Sequence, residues 1–362
     1  MNGRRLDRLA DGLSLLLTMT VALVIGAAII LLTSSEPSSS LYAFFLAPFS
    51  NRVFFGNMLQ AATPLILSGL GLAVAFRAGA VNLGAEGQVY AGGIAGTVLI
   101  LLLPWHSPWL LVPTVAAAVV TAGLFAMLSG WLRVRFGATE VITSFLIGTV
   151  LIFLFEFFLT RYLVDPTAGF PTTGPLPAWI RLPRLLSPSS LNVGFAVAVL
   201  LTIVVQVVLF RTSLGYEIRM TGENPRFASF SGMPVSRTFI LAMGLSGAFA
   251  GLAGIIEVVG VQGRLVSGFS ANFGWNGITV ALIARLHPLG VIPAALLYGY
   301  LQQGAATASL LSDVSPRIAA IIQSLIFFLI TAQAIFVWIR RQLARVEGPT
   351  DGLPAHGEKA AR

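Results

Sequence analysis

No cysteine occurs in the 362 residues, which excludes a disulfide framework and any thiolate-held metal. Lysine is almost as scarce: of the 22 basic residues, Lys359 alone is a lysine. A Walker A loop needs a lysine behind its glycines to hold phosphates, so the body of the chain has no such nucleotide site and no Schiff-base lysine. His106, His287 and His356 lie far apart, with no carboxylate at ligand spacing. No metal site is expected from that donor set, and no nucleophile–base pair suggests a catalytic residue. Charge of either sign is thin, at 10% of residues against about 25% in a soluble domain.

What fills the chain instead is apolar. Hydrophobic residues make up 56% and mean hydropathy is +0.87. Such a chain cannot cover a water-facing surface, and it lacks the ten-residue alternation of a membrane barrel. We read an all-α polytopic membrane protein with about ten transmembrane helices, near 13–32, 57–75, 88–104, 109–132, 139–160, 192–210, 238–260, 273–286, 288–306 and 317–338. The eighth is too short to cross straight. Residues 1–12 are expected to form a cytoplasmic N-terminus, 13–338 the transmembrane domain and 339–362 a polar cytoplasmic tail. The first apolar run exceeds the length of a secretory h-region and reads as an uncleaved span.

Arginine placement sets the orientation. With both termini cytoplasmic, sixteen of the 22 basic residues fall inside, leaving Arg52, Arg161, Arg181, Arg184, Arg264 and Arg317 outside. The net charge of +8 is thus a topology signal, and no nucleic-acid partner is implied. The external stretch 161–191 carries six prolines, whose fixed φ makes a stiff surface loop.

Within the cytoplasmic loop 211–237, RTSLGYEIRMTGENPRFASFSGMPVSR, four residues punctuate a short helix. Asn224 is an N-cap, Pro225 suits the first position, Gly232 takes a left-handed turn and Pro234 stops continuation. The spacing predicts a rigid knob over 225–231, with the bland alternative that Phe227, Phe230 and Met233 rest on the bilayer lipid. In the following span Gly244, Gly247, Gly251 and Gly254 share one face, as close helix packing requires. Glu86, Glu140, Glu156 and Glu257 lie in or beside apolar segments, so each needs protein or water around it and a partner. Their scatter favours structural hydrogen bonding over a proton relay. A weak internal echo links FGATEVITSFLI (136–147) with FGWNGITVALI (273–283).

The segment FRAGAVNLGAEGQ (76–88) sets Arg77, Asn82, Glu86 and Gln88 between two apolar runs. Its glycines let the backbone turn and approach its neighbours, while the polar side chains hydrogen-bond the exposed amides and one another.

With GATEVITSFL (137–146), GENPRFASFSG (222–232), ILAMGLSGAFAGLAG (240–254) and ITVALIARLHPLG (278–290), this segment resembles the membrane permeases of bacterial ABC importers of the branched-chain amino acid, ribose and nucleoside type. The nearest branch is the simple-sugar and nucleoside (guanosine-type) permeases. The resemblance runs from about residue 55 to 338. It implies a type II ABC importer-like permease fold with a weak internal repeat, in the bacterial inner membrane. The implied partners are a cytoplasmic ABC ATPase, a second and different permease, and an extracytoplasmic substrate-binding lipoprotein. ATP and magnesium would sit on the ATPase, with no cofactor on this chain. ATPase coupling would fall on Glu217, Arg219, Gly222, Asn224, Pro225, Arg226, Ala228 and Gly232. Phe227 and Ala228 replace the two small residues usual in that pattern. Translocation-path candidates are Asn82, Glu86, Gln88, Thr139, Glu140 and Asn276. A self-sufficient proton-coupled carrier is the rival reading.

Overall fold

The computed structural model describes residue 17, residues 20–103 and residues 105–346. The expected N-terminal segment 1–12 and the tail beyond residue 346 lie outside the described residues. What is described is helical, and pairing of extended backbone is limited to isolated bridges, Thr172 with Val266 and Arg184 with Asn192.

In chain order the helices are α1 (Thr20–Thr33), α2 (Pro37–Leu41), α3 (Arg52–Arg77), α4 (Ala85–Leu102), α5 (Leu111–Phe136), α6 (Glu140–Phe158) and α7 (Val193–Arg211). They continue as α8 (Ser213–Glu223), α9 (Pro225–Phe230), α10 (Val235–Glu257), α11 (Phe273–Ile283), α12 (Pro288–Leu311) and α13 (Pro316–Val346). Six helices among the described residues are long and apolar enough to cross a membrane: Arg52–Arg77, Ala85–Leu102, Pro108–Phe136, Glu140–Leu163, Val193–Arg211 and Val235–Gln262. The apolar helices Thr20–Thr33, Phe273–Ile283 and Pro316–Ala332 are shorter. Of the ten runs read from sequence, six therefore correspond to helices that qualify as spans on length and composition. The last helix, α13, runs on through Val346, past the expected run 317–338.

The layering follows from how apolar each helix is around its circumference. Every residue of α3 from Ala62 to Ala75 is buried, as is every residue from Gly84 to Gly93, so α3 and the start of α4 form the centre. By contrast, α6 buries one stripe, Glu140, Ser144, Gly148, Leu151 and Phe155, and α7 another, Gly194, Ala198, Thr202, Val205 and Leu209. Their remaining faces expose Phe153, Phe157, Leu200 and Val207, as a helix bordering lipid or a second subunit does.

The glycine stripe of α10 explains its central position. A Cβ on Gly247 would lie 2.5 Å from the Ala122 carbonyl oxygen of α5, one on Gly251 2.6 Å from that of Ala118, and one on Gly254 2.1 Å from that of Val89 in α4. Only hydrogen at these positions permits such approach.

The two ends of the bundle differ in chemistry. At one end the loop 161–191 folds onto the segment after α10: Thr173 N–H donates to Leu265 O (2.9 Å) and Leu176 N–H to Gly263 O (2.8 Å). Asn57 and Gln60 of α3 accept from Ser190 and Asn192 there. Asp313 lies in the turn before α13 and takes hydrogen bonds from Ser34 Oγ, Ser35 N–H and Ser40 Oγ, which hold its carboxyl down at about 2. The opposite end gathers Arg77, Arg133, Arg219 and the α8–α9 loop.

Candidate functional site

At this second end, chain-local capping shapes a protruding knob. Thr212 Oγ1 accepts from Gly215 N–H (3.2 Å) and starts α8, a helix the sequence reading left unassigned between α7 and α9. Asn224 Oδ1 accepts from Phe227 N–H (3.0 Å), Pro225 takes the first position of α9, and Gly232 turns left-handed at φ +79°. The expected short helix is present, ending at Phe230. Ala228 is buried beneath it, while Arg226 and Phe227 are exposed and Phe230 is 93% exposed. Glu217 of α8 accepts from Thr238 Oγ1 (3.4 Å). Beside α8 a cleft of about 380 Å³, lined by Met127, Leu214, Glu217, Pro234 and Arg237, separates it from α5 and α10.

The root of the knob is tightly held. A Cβ on Gly215 would sit 2.1 Å from Val208 O, and one on Gly222 2.0 Å from Arg77 O, so α8 is pressed between the ends of α7 and α3. Arg219, one of the expected ATPase-coupling residues, donates to Leu209 O and lies over the Phe210 ring. Arg77 lies over the same ring and donates to Leu286 O just past α11 (2.6 Å). His287 stacks on Phe210 with ring centroids 5.4 Å apart. Burial, with the Arg77 charge second, holds its imidazole below the usual histidine value.

From this junction the chain climbs without helix through 78–84. Asn82 sits at the centre: its Nδ2 donates to Gln88 Oε1 (2.7 Å) and Ser246 Oγ (3.0 Å), and its Oδ1 accepts from Gly84 N–H (3.0 Å) and Gln88 Nε2 (3.1 Å). Ser246 lies eleven residues into α10, a rise of about 16 Å, roughly half the hydrocarbon thickness. The break therefore lies at membrane depth, where non-helical backbone must be buried in protein or face a water cavity. Here Ala80, Asn82 and Gly84 are buried in protein and Val81 and Leu83 are partly so.

Opposite the break stands the half-helix α11, whose eleven residues span about 16 Å from the same depth down to Arg77. Glu86 Oε2 accepts from Gly274 N–H in its first turn (2.7 Å). Arg77 at its C-terminal end and Glu86 at its N-terminal end complement its dipole from both sides. Consecutive left-handed residues bracket it, Ala271 and Asn272 before, Arg285 and Leu286 after.

The geometry sorts the six path candidates. Asn82, Glu86 and Gln88 are buried in bonds within the chain, and Glu140 is buried in an ion pair with Arg133. Thr139 is exposed, and Asn276 is half-buried, donating to Tyr298 Oη (2.8 Å). Glu156 accepts from Ser267 Oγ (2.8 Å) and Glu257 from Gln262 (3.1 Å). Each of the four glutamates thus holds a different segment. The echo between 136–147 and 273–283 does not join equivalent places, since α6 starts at the Arg133 end and α11 at half depth. Equivalent places are joined by a different pair: NLGAEG (82–87) and NFGWNG (272–277) share N-x-G-x-x-G and both open helices at half depth. The two helix starts touch, with Gly274 pressed against the backbone of Ala85 and Glu86.

Beside that contact Phe145 of α6 and Trp275 of α11 form an exposed aromatic pair, ring centroids 6.1 Å apart. Neither was singled out from sequence, because one aromatic among 25 phenylalanines and six tryptophans carries no local signal.

Comparison with known proteins places this arrangement. Over 334 residues the chain is 33% identical to the probable riboflavin import permease protein of Treponema pallidum, covering 91% of this chain and 88% of that one. It is 30% identical to a nucleoside ABC transporter permease protein of Lactococcus lactis, covering 95% and 97%. A second nucleoside permease of that organism matches at 25% over 68% of this chain and 80% of its own. A glucose ABC transporter permease protein of Haloferax volcanii is 31% identical, covering 88% and 86%. Residues 54–331 match the family described as the permease component of the branched-chain amino acid transport system. A buried broken-helix centre, lipid-facing outer helices and this match over most of the chain lead to one conclusion: the protein is a multi-pass membrane permease of that ABC transporter family.

Proposed function

We propose that the chain is the permease subunit of an ATP-driven importer that carries nucleosides, or simple sugars, across the bacterial cytoplasmic membrane, with both termini on the cytoplasmic side. It adopts a type II importer-like fold of about ten spans. ATP and magnesium are held by a separate ATPase subunit, and this chain performs no chemistry on them. A second, different permease completes the membrane unit, as the paired nucleoside permeases of one relative's organism suggest. An extracytoplasmic lipoprotein delivers substrate to the end closed by loop 161–191.

The observation that carries this reading is α9: a capped, rigid helix whose exposed face of Arg226, Phe227 and Phe230 projects at the Arg-rich end of the bundle. It has a route inward. Force on α9 passes through α8 to the Gly222–Arg77 contact, from Arg77 to Leu286, and along α11 to the half-depth helix starts. A self-sufficient carrier has no use for such a knob, and its relay is not favoured when each glutamate is bonded to a separate segment.

The test is assembly. Gly232 has open space around it but φ +79°, so Gly232→Val strains that turn by about 1–2 kcal/mol or more and tilts α9. With Arg226→Glu as the second variant, the permease should still insert and pair, while the ATPase subunit no longer co-purifies or loses substrate-stimulated hydrolysis. Wild-type co-purification and stimulation in both variants would refute the reading and favour a helix resting on lipid.

A further inference from the structure

Near half depth the surface carries groups that hydrocarbon does not accommodate. Ala271 and Asn272, which lead into α11, are exposed on non-helical backbone and hold left-handed φ of 47° and 64°. Non-helical backbone at membrane depth survives only where protein or water covers it. This face therefore looks onto an aqueous path or onto a second subunit that encloses one. On the same face stand Phe145, 43% exposed, and Trp275, 38% exposed. Their planes meet at 59°, so they do not stack on each other, and each presents surface outward. Glu156, on the same α6 stripe eleven residues further along, has its carboxylate engaged by Ser267 and Gly268. The aromatic patch therefore lies about 16 Å from that charge, and three residues before Trp275 the exposed Asn272 carries an amide that offers both donors and an acceptor.

We propose that Phe145 and Trp275 form a stacking subsite on the translocation path for an uncharged, flat heteroaromatic ring, with Asn272 at the ring's edge. This rests on the permease reading above and narrows its substrate class from nucleosides or sugars to cargo bearing such a ring. Stacking on an aromatic face tolerates different bases, because every base has a π-face. A path must release what it binds, so a shallow, sequence-tolerant platform suits passage better than a deep hydrogen-bonded pocket. A pyranose offers only small C–H patches to the same rings and gains less from them.

The experiment uses the assembled transporter, with its second permease, ATPase subunit and binding protein, in proteoliposomes. ATP-driven uptake of labelled guanosine, and of labelled glucose, is measured for wild type, Trp275→Leu, Phe145→Leu and the conservative Trp275→Phe. Guanosine uptake by wild type, with KM raised about tenfold in Trp275→Leu and restored in Trp275→Phe, would support the subsite. Phe145→Leu should raise KM less, and ATPase co-purification should be unchanged throughout. Guanosine uptake with the same KM in every variant would overturn the subsite and leave the permease reading standing. ATP-driven uptake of glucose but not guanosine would overturn the subsite and retain a sugar permease. Uptake of either compound driven by a proton gradient without ATP would overturn both.

Discussion

Adding one methyl group at Gly222 should separate docking from coupling. An alanine Cβ there would lie 2.0 Å from Arg77 O, 2.8 Å from Arg77 C and 2.8 Å from Gly79 N. All three are backbone atoms, so no flexible side chain can turn aside. They also belong to a turn pinned by Ala78 N–H to Ala75 O, by Ala80 N–H to Ala75 O and by Gly79 at φ +73°. Ordinary contact begins near 3.4 Å, so α8 must move away from Arg77 by more than an ångström. The cleft beside α8 gives it somewhere to go. Overpacking of this kind costs about 1–3 kcal/mol, and a backbone clash belongs in the upper half of that range. Because α9 keeps its own caps, Asn224 and Gly232, the ATPase should still bind.

The expected result for Gly222→Ala is therefore a transporter that assembles with normal subunit ratios and a lowered melting temperature, but with substrate-stimulated ATP hydrolysis reduced several-fold. Gly232→Ala serves as the contrast: it meets no atom within 4 Å and disturbs conformation alone. Stimulation at the wild-type level in Gly222→Ala, with an unchanged melting temperature, would refute both the predicted displacement of α8 and the route through Arg77.

Two further outcomes follow from the same region. His287 is held below its usual value by burial and then by Arg77, so the unfolded chain binds its proton first. Stability should be fully present above about pH 6.5 and fall as pH drops below it; His287→Asn should flatten that part of a melting-temperature profile between pH 7.5 and 5.5, and an unchanged slope would count against it. Glu86→Gln keeps an acceptor for Gly274 N–H and should transport, whereas Glu86→Ala leaves that buried amide unpaired and should lose about 1–3 kcal/mol in denaturation.

What could be read from sequence here is what capping chemistry writes within three or four residues. Asn224, Pro225 and Gly232 define α9 because each acts on its immediate neighbours, and the shortness of α11 shows in its apolar run. The break at 78–84 is legible for the same reason, through its glycines and amides. What could not be read is decided by partners far along the chain. Arg219 looks free in sequence and is used by Leu209 and Phe210. The bonding of Asn82 with Gln88 and with the amide of Gly84 is local and legible, whereas the bond to Ser246, 164 residues away from Asn82, is not. α8 was missed because its apolar positions are few and its stability comes from lying against α7 and α3.

The geometry of one short segment against another ties these observations together without any residue touching both ends of the route. FRAGAVNLGAEGQ supplies Arg77 to the C-terminal end of α11 and Glu86 to its N-terminal end, so a single stretch of chain grips the half-helix from both sides. The left-handed pairs that bracket α11 are hydrogen-bonded onto its ends, Leu286 N–H to Ala281 O and Asn276 N–H to Asn272 O, so the half-helix and its flanking turns form one unit. A displacement at Gly222 need not be transmitted through a soft core to be felt at half depth. It moves Arg77, Arg77 carries Leu286, and the half-helix ends beside Phe145 and Trp275. The mutual contact of Gly274 with Glu86 means that the two N-x-G-x-x-G turns must move together or separate, and separation would unpair a buried carboxylate. Joint movement is the less costly course, so under the proposed coupling through α9 the paired turns, and not any single polar side chain, are the element that would carry that work to the path.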